Sequence, residues 1–132
     1  MAGPKGSKYF DIFLDYQVWL KSQISDGKVD DQLIELLKEI GLHGSLKKAA
    51  LKKGLSYRKA WGDIKEAEEF LGLSLIDSTR GGKDGGLSQL TEDGKELLAA
   101  FEELHSQFDQ AIHRITRQFF NKLNNKDNPG TE

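Results

Sequence analysis

The chain has 132 residues, of which 37% are apolar and 30% charged, with 19 Lys and Arg against 21 Asp and Glu for a net charge of −2. Cysteine is absent, which excludes disulfides, thiolate metal sites and thiol nucleophiles. No apolar run approaches the ~20 residues of a membrane helix, and the N-terminus lacks the apolar stretch of a signal peptide. The expectation is a cytoplasmic protein of one domain with an added oligomerisation arm.

In chain order, residues 1–8 are Gly, Pro, Lys and Ser in the main and read as a disordered tail. Phe10, Ile12, Leu14, Tyr16, Val18 and Leu20 then alternate with mostly polar residues, the period of a strand with one buried face. Asp26-Gly27 marks a turn. Asp30 or Asp31 can cap a helix carrying Leu33, Ile34, Leu36, Leu37 and Ile40, which ends near Gly41 or Gly44.

Gly44 to Ile64 reads as two short helices joined by a tight turn. Ser45 and Ser56 can cap them, and Gly54 sits where a left-handed residue ends the first. Leu46, Ala49 and Ala50 form an apolar stripe on one helix; Ala60, Trp61 and Ile64 form one on the other, which assigns Trp61 to the core. The small pair Ala49-Ala50 allows a close crossing, the pattern of a helix-turn-helix whose second helix enters the DNA major groove. The charge is polarised to match. Between Ser45 and Arg58 stand Lys47, Lys48, Lys52, Lys53 and Arg58 with no acid, and Lys59 extends the run. A lysine run by itself is equally well a solvated helix face.

That second helix is expected to run to about Leu71. Leu73 to Thr79 and Leu87 to Thr91 are short extended segments around a Gly81–Gly86 tip, a β-hairpin wing to which the Phe10–Leu20 strand offers a third strand. The tip lacks P-loop spacing. Thr91 can cap a long helix with Leu97, Phe101, Leu104, Phe108, Ala111, Ile115 and Phe119 along a stripe of 3.5-residue period. From Thr91 to Leu123 it would span ~50 Å, against ~30–35 Å for a domain of about 100 residues. A second copy is the simplest cover for the far end, with Leu97, Phe101, Leu104, Phe108, Ile112, Ile115 and Phe119 at the dimer interface; two helices folded back on the core is the alternative.

On this basis Ser56, Tyr57, Arg58 and Lys59 are the candidate DNA base or groove contacts. Ser45, Lys47, Lys48, Lys52, Lys53, Arg80 and Lys83 are the candidate phosphate contacts. Tyr57 has an alternative place, packed under the wing. His43, His105 and His113 are scattered, His105 and His113 lying eight apart and not at ligand spacing, so no metal is expected. No carboxylate pair, nucleophile–base set or cofactor fingerprint stands out, so neither an enzyme nor a cofactor is expected.

The segment Gly44-Ser45…Ala49-Ala50…Gly54…Ser56-Tyr57-Arg58…Ala60-Trp61…Ile64 resembles the N-terminal DNA-binding domain of the molybdate-responsive ModE regulators. So do Gly81-Gly82…Gly85-Gly86, Leu90-Thr91…Gly94, Val18-Trp19-Leu20 and Asp26-Gly27-Lys28; the Leu-Thr-x-x-Gly-x-x-Leu-Leu ending is shared more loosely with LysR-type regulators. The resemblance covers roughly residues 16–110 and implies a winged helix-turn-helix, a homodimer and a palindromic operator. Full-length members carry a C-terminal molybdate-binding region; the sequence stops at Glu132, so no molybdate site is expected in it.

The expectation is therefore a mainly α fold with a small β-sheet: a tail over 1–8, a winged helix-turn-helix over 9–91, a dimerisation helix over 92–123 and a tail over 124–132. The expected function is a homodimeric, sequence-specific transcriptional regulator on double-stranded DNA. The alternative is a winged-helix protein-interaction module without DNA binding.

Overall fold

The computed structural model describes residues 5–6, 8–78 and 87–125. Its elements, in chain order, are β1 (Leu20–Lys21), β2 (Lys28–Val29), α1 (Asp31–His43), α2 (Leu46–Lys52), α3 (Tyr57–Leu71), β3 (Ile76–Ser78), β4 (Ser88–Leu90) and α4 (Glu92–Asn124). This is a mainly α winged helix with a long C-terminal helix. Val18 to Glu102 form one compact unit; the residues up to Gln17 and those from Glu103 onward form another.

In the first unit α1 supplies most of the core, because Leu33, Ile34, Leu36, Leu37 and Ile40 recur at helical spacing and all five are buried. Of the two candidate caps, Asp30 takes the role, its carboxylate accepting the Leu33 N–H at 3.0 Å. Helix α2 contributes Leu46, Ala49 and Ala50, and α3 contributes Ala60, Ile64 and Ala67. Alanines on both helices let them cross closely.

The wing is an antiparallel pair with Ile76 opposite Leu90, Asp77 opposite Gln89 and Ser78 opposite Ser88. Its expected glycine tip lies outside the described residues. The wing is tied to α3 by one carboxylate. Glu68 Oε2 accepts the Leu75 N–H at 2.7 Å, the Ile76 N–H at 3.3 Å and the Ser74 hydroxyl at 3.3 Å, while Oε1 meets Lys65 Nζ at 3.1 Å. Burial alone pushes the Glu68 carboxyl up. The Leu75 and Ile76 N–H donors and the Lys65 ammonium outweigh it and hold the group below its ordinary value.

Beyond the wing, Thr91 caps α4 by accepting the Gly94 N–H at 2.9 Å. Its hydroxyl donates to the Ser74 carbonyl at 2.6 Å, and its N–H to the Leu75 carbonyl at 3.0 Å. Gly94 lies so close to Leu75 that a Cβ there would stand 2.2 Å from that carbonyl oxygen. Helix α4 then runs unbroken for 33 residues, about 50 Å at 1.5 Å per residue; it is one helix and not a folded-back pair.

The strand expected over Phe10–Leu20 is not formed. Only Leu20–Lys21 pair, with Lys28–Val29, in a sheet separate from the wing. An alternating sequence needs a partner edge to become a strand, and here the aromatic residues of this stretch engage a helix instead. In the second unit Tyr16 donates to the Asp109 carboxylate and its ring stands 6.1 Å from both His105 and Phe108. Tyr9 lies 5.8 Å from Phe120. Ile12, Phe13 and Leu14, which the alternation would set on opposite faces, are all exposed.

Two stability measurements follow. Gly94→Ala should lower unfolding free energy by about 1–3 kcal/mol in urea titration, the cost of moving packed backbone. Gly62→Ala, where a Cβ meets nothing within 4 Å, should be neutral or stabilising by up to about 1 kcal/mol. A Gly94→Ala midpoint equal to wild type would contradict the close approach. Because the folded pKa of Glu68 is depressed, its contribution is present at neutral pH and lost as pH falls through and below 4.5, the ordinary value. Glu68→Gln should therefore be less stable than wild type at pH 7, with the gap closing as the pH falls below that value; a gap that is constant with pH would contradict the charge-assisted role.

Candidate nucleic-acid interface

The second helix of the helix-turn-helix is presented by two serine caps and a glycine turn. Ser45 Oγ accepts the Lys48 N–H at 3.1 Å, and Ser56 Oγ accepts the Lys59 N–H at 3.0 Å. Between the helices Gly54 has φ +70°, a left-handed conformation that a side chain would strain. The Leu55 N–H closes the turn on the Ala50 carbonyl at 2.8 Å. Ala60, Ile64 and Ala67 bury one face of α3, which leaves its N-terminal outer face in solvent. Ser56, Tyr57 and Arg58 are exposed there, Tyr57 by 50%.

On the adjoining α2, Lys47, Lys48 and Lys52 are exposed and, among the described residues, form no ion pair. Lys53 is also exposed but pairs with Glu35 at 3.6 Å. Ser45 is a correction to the phosphate set: it is buried, and its Oγ is engaged as the cap, so it does not present its hydroxyl to the surface. Arg80 and Lys83 lie outside the described residues.

Lys59 stands apart from the other three groove candidates. Its Nζ is 2.9 Å from Asp63 Oδ1, one turn along the same helix. The two line a depression with Asp26, Lys28, Asp30 and Glu66. The hydrogen bond to Asp63 and the charge of that carboxylate, with Glu66 and Asp30 adding, hold the Lys59 ammonium above the ordinary lysine value.

Trp61 corrects the sequence reading in the other direction. It is 47% exposed and not an anchor in the core. At about 100° per residue, Trp61 is displaced by a quarter turn from the Ala60–Ile64–Ala67 stripe. It falls instead in line with Tyr57 and Lys65, whose Nζ stands 5.6 Å from the indole centroid. The spacing of 57, 61 and 65 carried that signal, and the mere adjacency of Trp61 to Ile64 concealed it. The two flanks of α3 thus differ: one carries the exposed aromatic rings of Tyr57 and Trp61, with Lys65 paired to Glu68, whereas the other carries Lys59, Asp63 and Glu66 beside Asp26 and Asp30.

Along α4 the expected interface residues divide. Phe101 is buried within its own chain, so it is not offered to a partner; Leu97, Leu104 and Ile112 are half-buried; Phe108, Ile115 and Phe119 are exposed. Phe120, absent from the expected stripe, is buried and meets Phe119 edge-on at 5.1 Å. No helix among the described residues is long and apolar enough to cross a membrane.

Residues 32–95 match the bacterial regulatory helix-turn-helix model of the LysR family. The chain is 36% identical over 87 residues to the molybdenum transport protein ModE of Herbaspirillum seropedicae, an alignment covering 66% of this chain and 32% of that protein. Over 75 residues it is 37% identical to the DNA-binding transcriptional dual regulator ModE of Escherichia coli K12, covering 57% of this chain and 29% of that one. It is 33% identical over 85 residues to the molybdenum-pterin-binding protein MopA of Rhodobacter capsulatus, covering 64% and 32%. The match spans about a third of the length of these curated relatives. Residues 32–95 therefore resemble a LysR-type helix-turn-helix, and the domain built on them is similar to the matched third of the ModE proteins.

Proposed function

We propose that this chain is a homodimeric transcriptional regulator that reads a palindromic DNA site. The observation that carries the reading is the exposed, serine-capped N-terminus of α3, together with three exposed lysines of α2 that form no ion pair among the described residues. Arg58 has the donor fork that pairs bidentately with guanine in the major groove, and Tyr57 and Ser56 can reach base edges or phosphates beside it. Lys47, Lys48 and Lys52 answer the phosphate charge. Two copies of α3 would enter successive major grooves ~34 Å apart. The second copy is supported by the exposed Phe108, Ile115 and Phe119 of α4 and by the exposed Ile12, Phe13 and Leu14, apolar surface that a monomer leaves in water.

The test is fragment selection by the purified chain from random duplex, followed by binding at two salt concentrations. Salt-sensitive, sequence-selective retention supports the regulator; no retention at low salt refutes it and leaves the interaction module. On the selected duplex Arg58→Ala should cost about 1–3 kcal/mol, roughly ten- to a hundredfold in Kd, with a much smaller loss on random duplex. Equal losses on both would remove its base-reading role. Lys48→Ala should flatten the slope of log K against log salt by about one unit without altering the preferred sequence. The double substitution Ile115→Asp with Phe119→Asp should give a monomer in sedimentation analysis and weaken binding to the full palindrome by at least about tenfold. A dimer that survives both would place the interface elsewhere.

A further inference from the structure

Lys59 is the third residue of α3, amid the residues proposed to meet DNA, yet its ammonium is bound to a carboxylate of its own helix at 2.9 Å. Around that pair the molecular surface is acidic. Asp26, Asp30 and Glu66 line the same depression, and Lys28, its other cation, pairs with Asp30 at 3.5 Å. A phosphate approaching this flank would face several carboxylates before reaching a cation. On the opposite flank Glu68 has its oxygens taken up by Leu75, Ile76, Ser74 and Lys65, and Arg58, toward the N-terminus of α3, forms no ion pair among the described residues. The helix therefore offers Arg58 and withholds Lys59.

We propose that Asp63 is a specificity-determining residue that holds Lys59 off the phosphate backbone and so keeps binding to unrelated sequences weak. The inference rests on the DNA-binding reading above. Its physics is a subtraction. Non-specific binding is almost wholly phosphate charge, and each cation that displaces a counterion adds ~0.9 to the salt slope. Engaging one such cation internally removes a sequence-independent contact and leaves the base contacts of Arg58 untouched. The ratio of specific to non-specific affinity then rises although no specific contact is added.

The test measures fluorescence anisotropy of a labelled random duplex and of the selected duplex between 50 and 200 mM salt, concentrations of roughly the range in which the counterion effect is steep. Asp63→Asn keeps the side-chain shape and releases Lys59. It should tighten random-duplex binding several-fold, steepen the salt slope by about one unit and shrink the ratio between the selected and random duplexes. Lys59→Ala alone should leave the slope as in wild type. In the double variant Lys59→Ala with Asp63→Asn the steeper slope should disappear. A gain that persists in the double variant would mean that Asp63 merely repels DNA, and would overturn the proposal. So would a Lys59→Ala slope flatter by one unit, since Lys59 would then be a phosphate contact in the native protein. Wild-type chain that binds both duplexes while Asp63→Asn changes nothing overturns this proposal alone; wild-type chain that binds neither overturns the DNA reading and the proposal with it. Unchanged circular dichroism and urea midpoints confirm that the variants being compared are folded.

Discussion

One residue, Leu75, is where the recognition helix, the wing and the start of the long helix are joined. Its N–H donates to Glu68 of α3, its carbonyl accepts the Thr91 N–H, and the Gly94 backbone packs against that same carbonyl. Its side chain is fully buried. Three elements thus share the backbone of one residue, and each bond restrains the others. The charge on Glu68 makes its hydrogen bonds stronger than neutral ones. A short wing of two three-residue strands has little pairing of its own to hold it. This node supplies the restraint, and it sets the angle at which the wing leaves the helix that is proposed to enter the groove.

Upon that frame α3 is electrostatically two-sided. Its buried stripe of Ala60, Ile64 and Ala67 is small enough for α2 to approach, and Lys47, Lys48 and Lys52 stand exposed on α2. The flank with Tyr57 and Trp61 presents exposed aromatic surface suited to sugar and thymine methyl, and its lysine, Lys65, is paired with Glu68. The flank with Asp63 and Glu66 is suited to neither. Net charge conceals this arrangement. A chain of −2 overall can still present a cationic surface because its acids lie outside residues 45–59, at Asp30 to Glu39, further along α3 and along α4.

Local signals made most of the fold legible in the sequence. Asp30, Ser45, Ser56 and Thr91 are caps whose chemistry is written in their side chains, and each cap forms. The α1 core stripe and the single long α4 follow from spacing and from the absence of breakers. Phe10 to Leu20 misled because period two describes side-chain alternation and says nothing of where a partner edge is; Tyr9 and Tyr16 found helical partners instead. Trp61 misled because a large aromatic was assigned to the core by type, although its angular position lies off the stripe. Phe120 was passed over because a strict 3.5-residue count selects Phe119. In the candidate site the caps, the turn glycine and the lysine block were legible, and the Lys59–Asp63 spacing of four was visible too. What the sequence did not show is that Asp26 and Asp30, from other elements, stand around that pair, since this depends on three-dimensional surroundings.

The central claim is that the N-terminus of α3 reads the major groove of DNA. Methylation interference at guanine N7, on a duplex selected by the chain, tests it most directly, because N7 lies in the major groove where an arginine fork would dock. The account predicts interference confined to two clusters of guanines about one helical turn apart, and loss of the interference at the same guanines in both clusters with Arg58→Ala. Interference spread evenly over the duplex, or clusters that remain unchanged in the Arg58 variant, would contradict it.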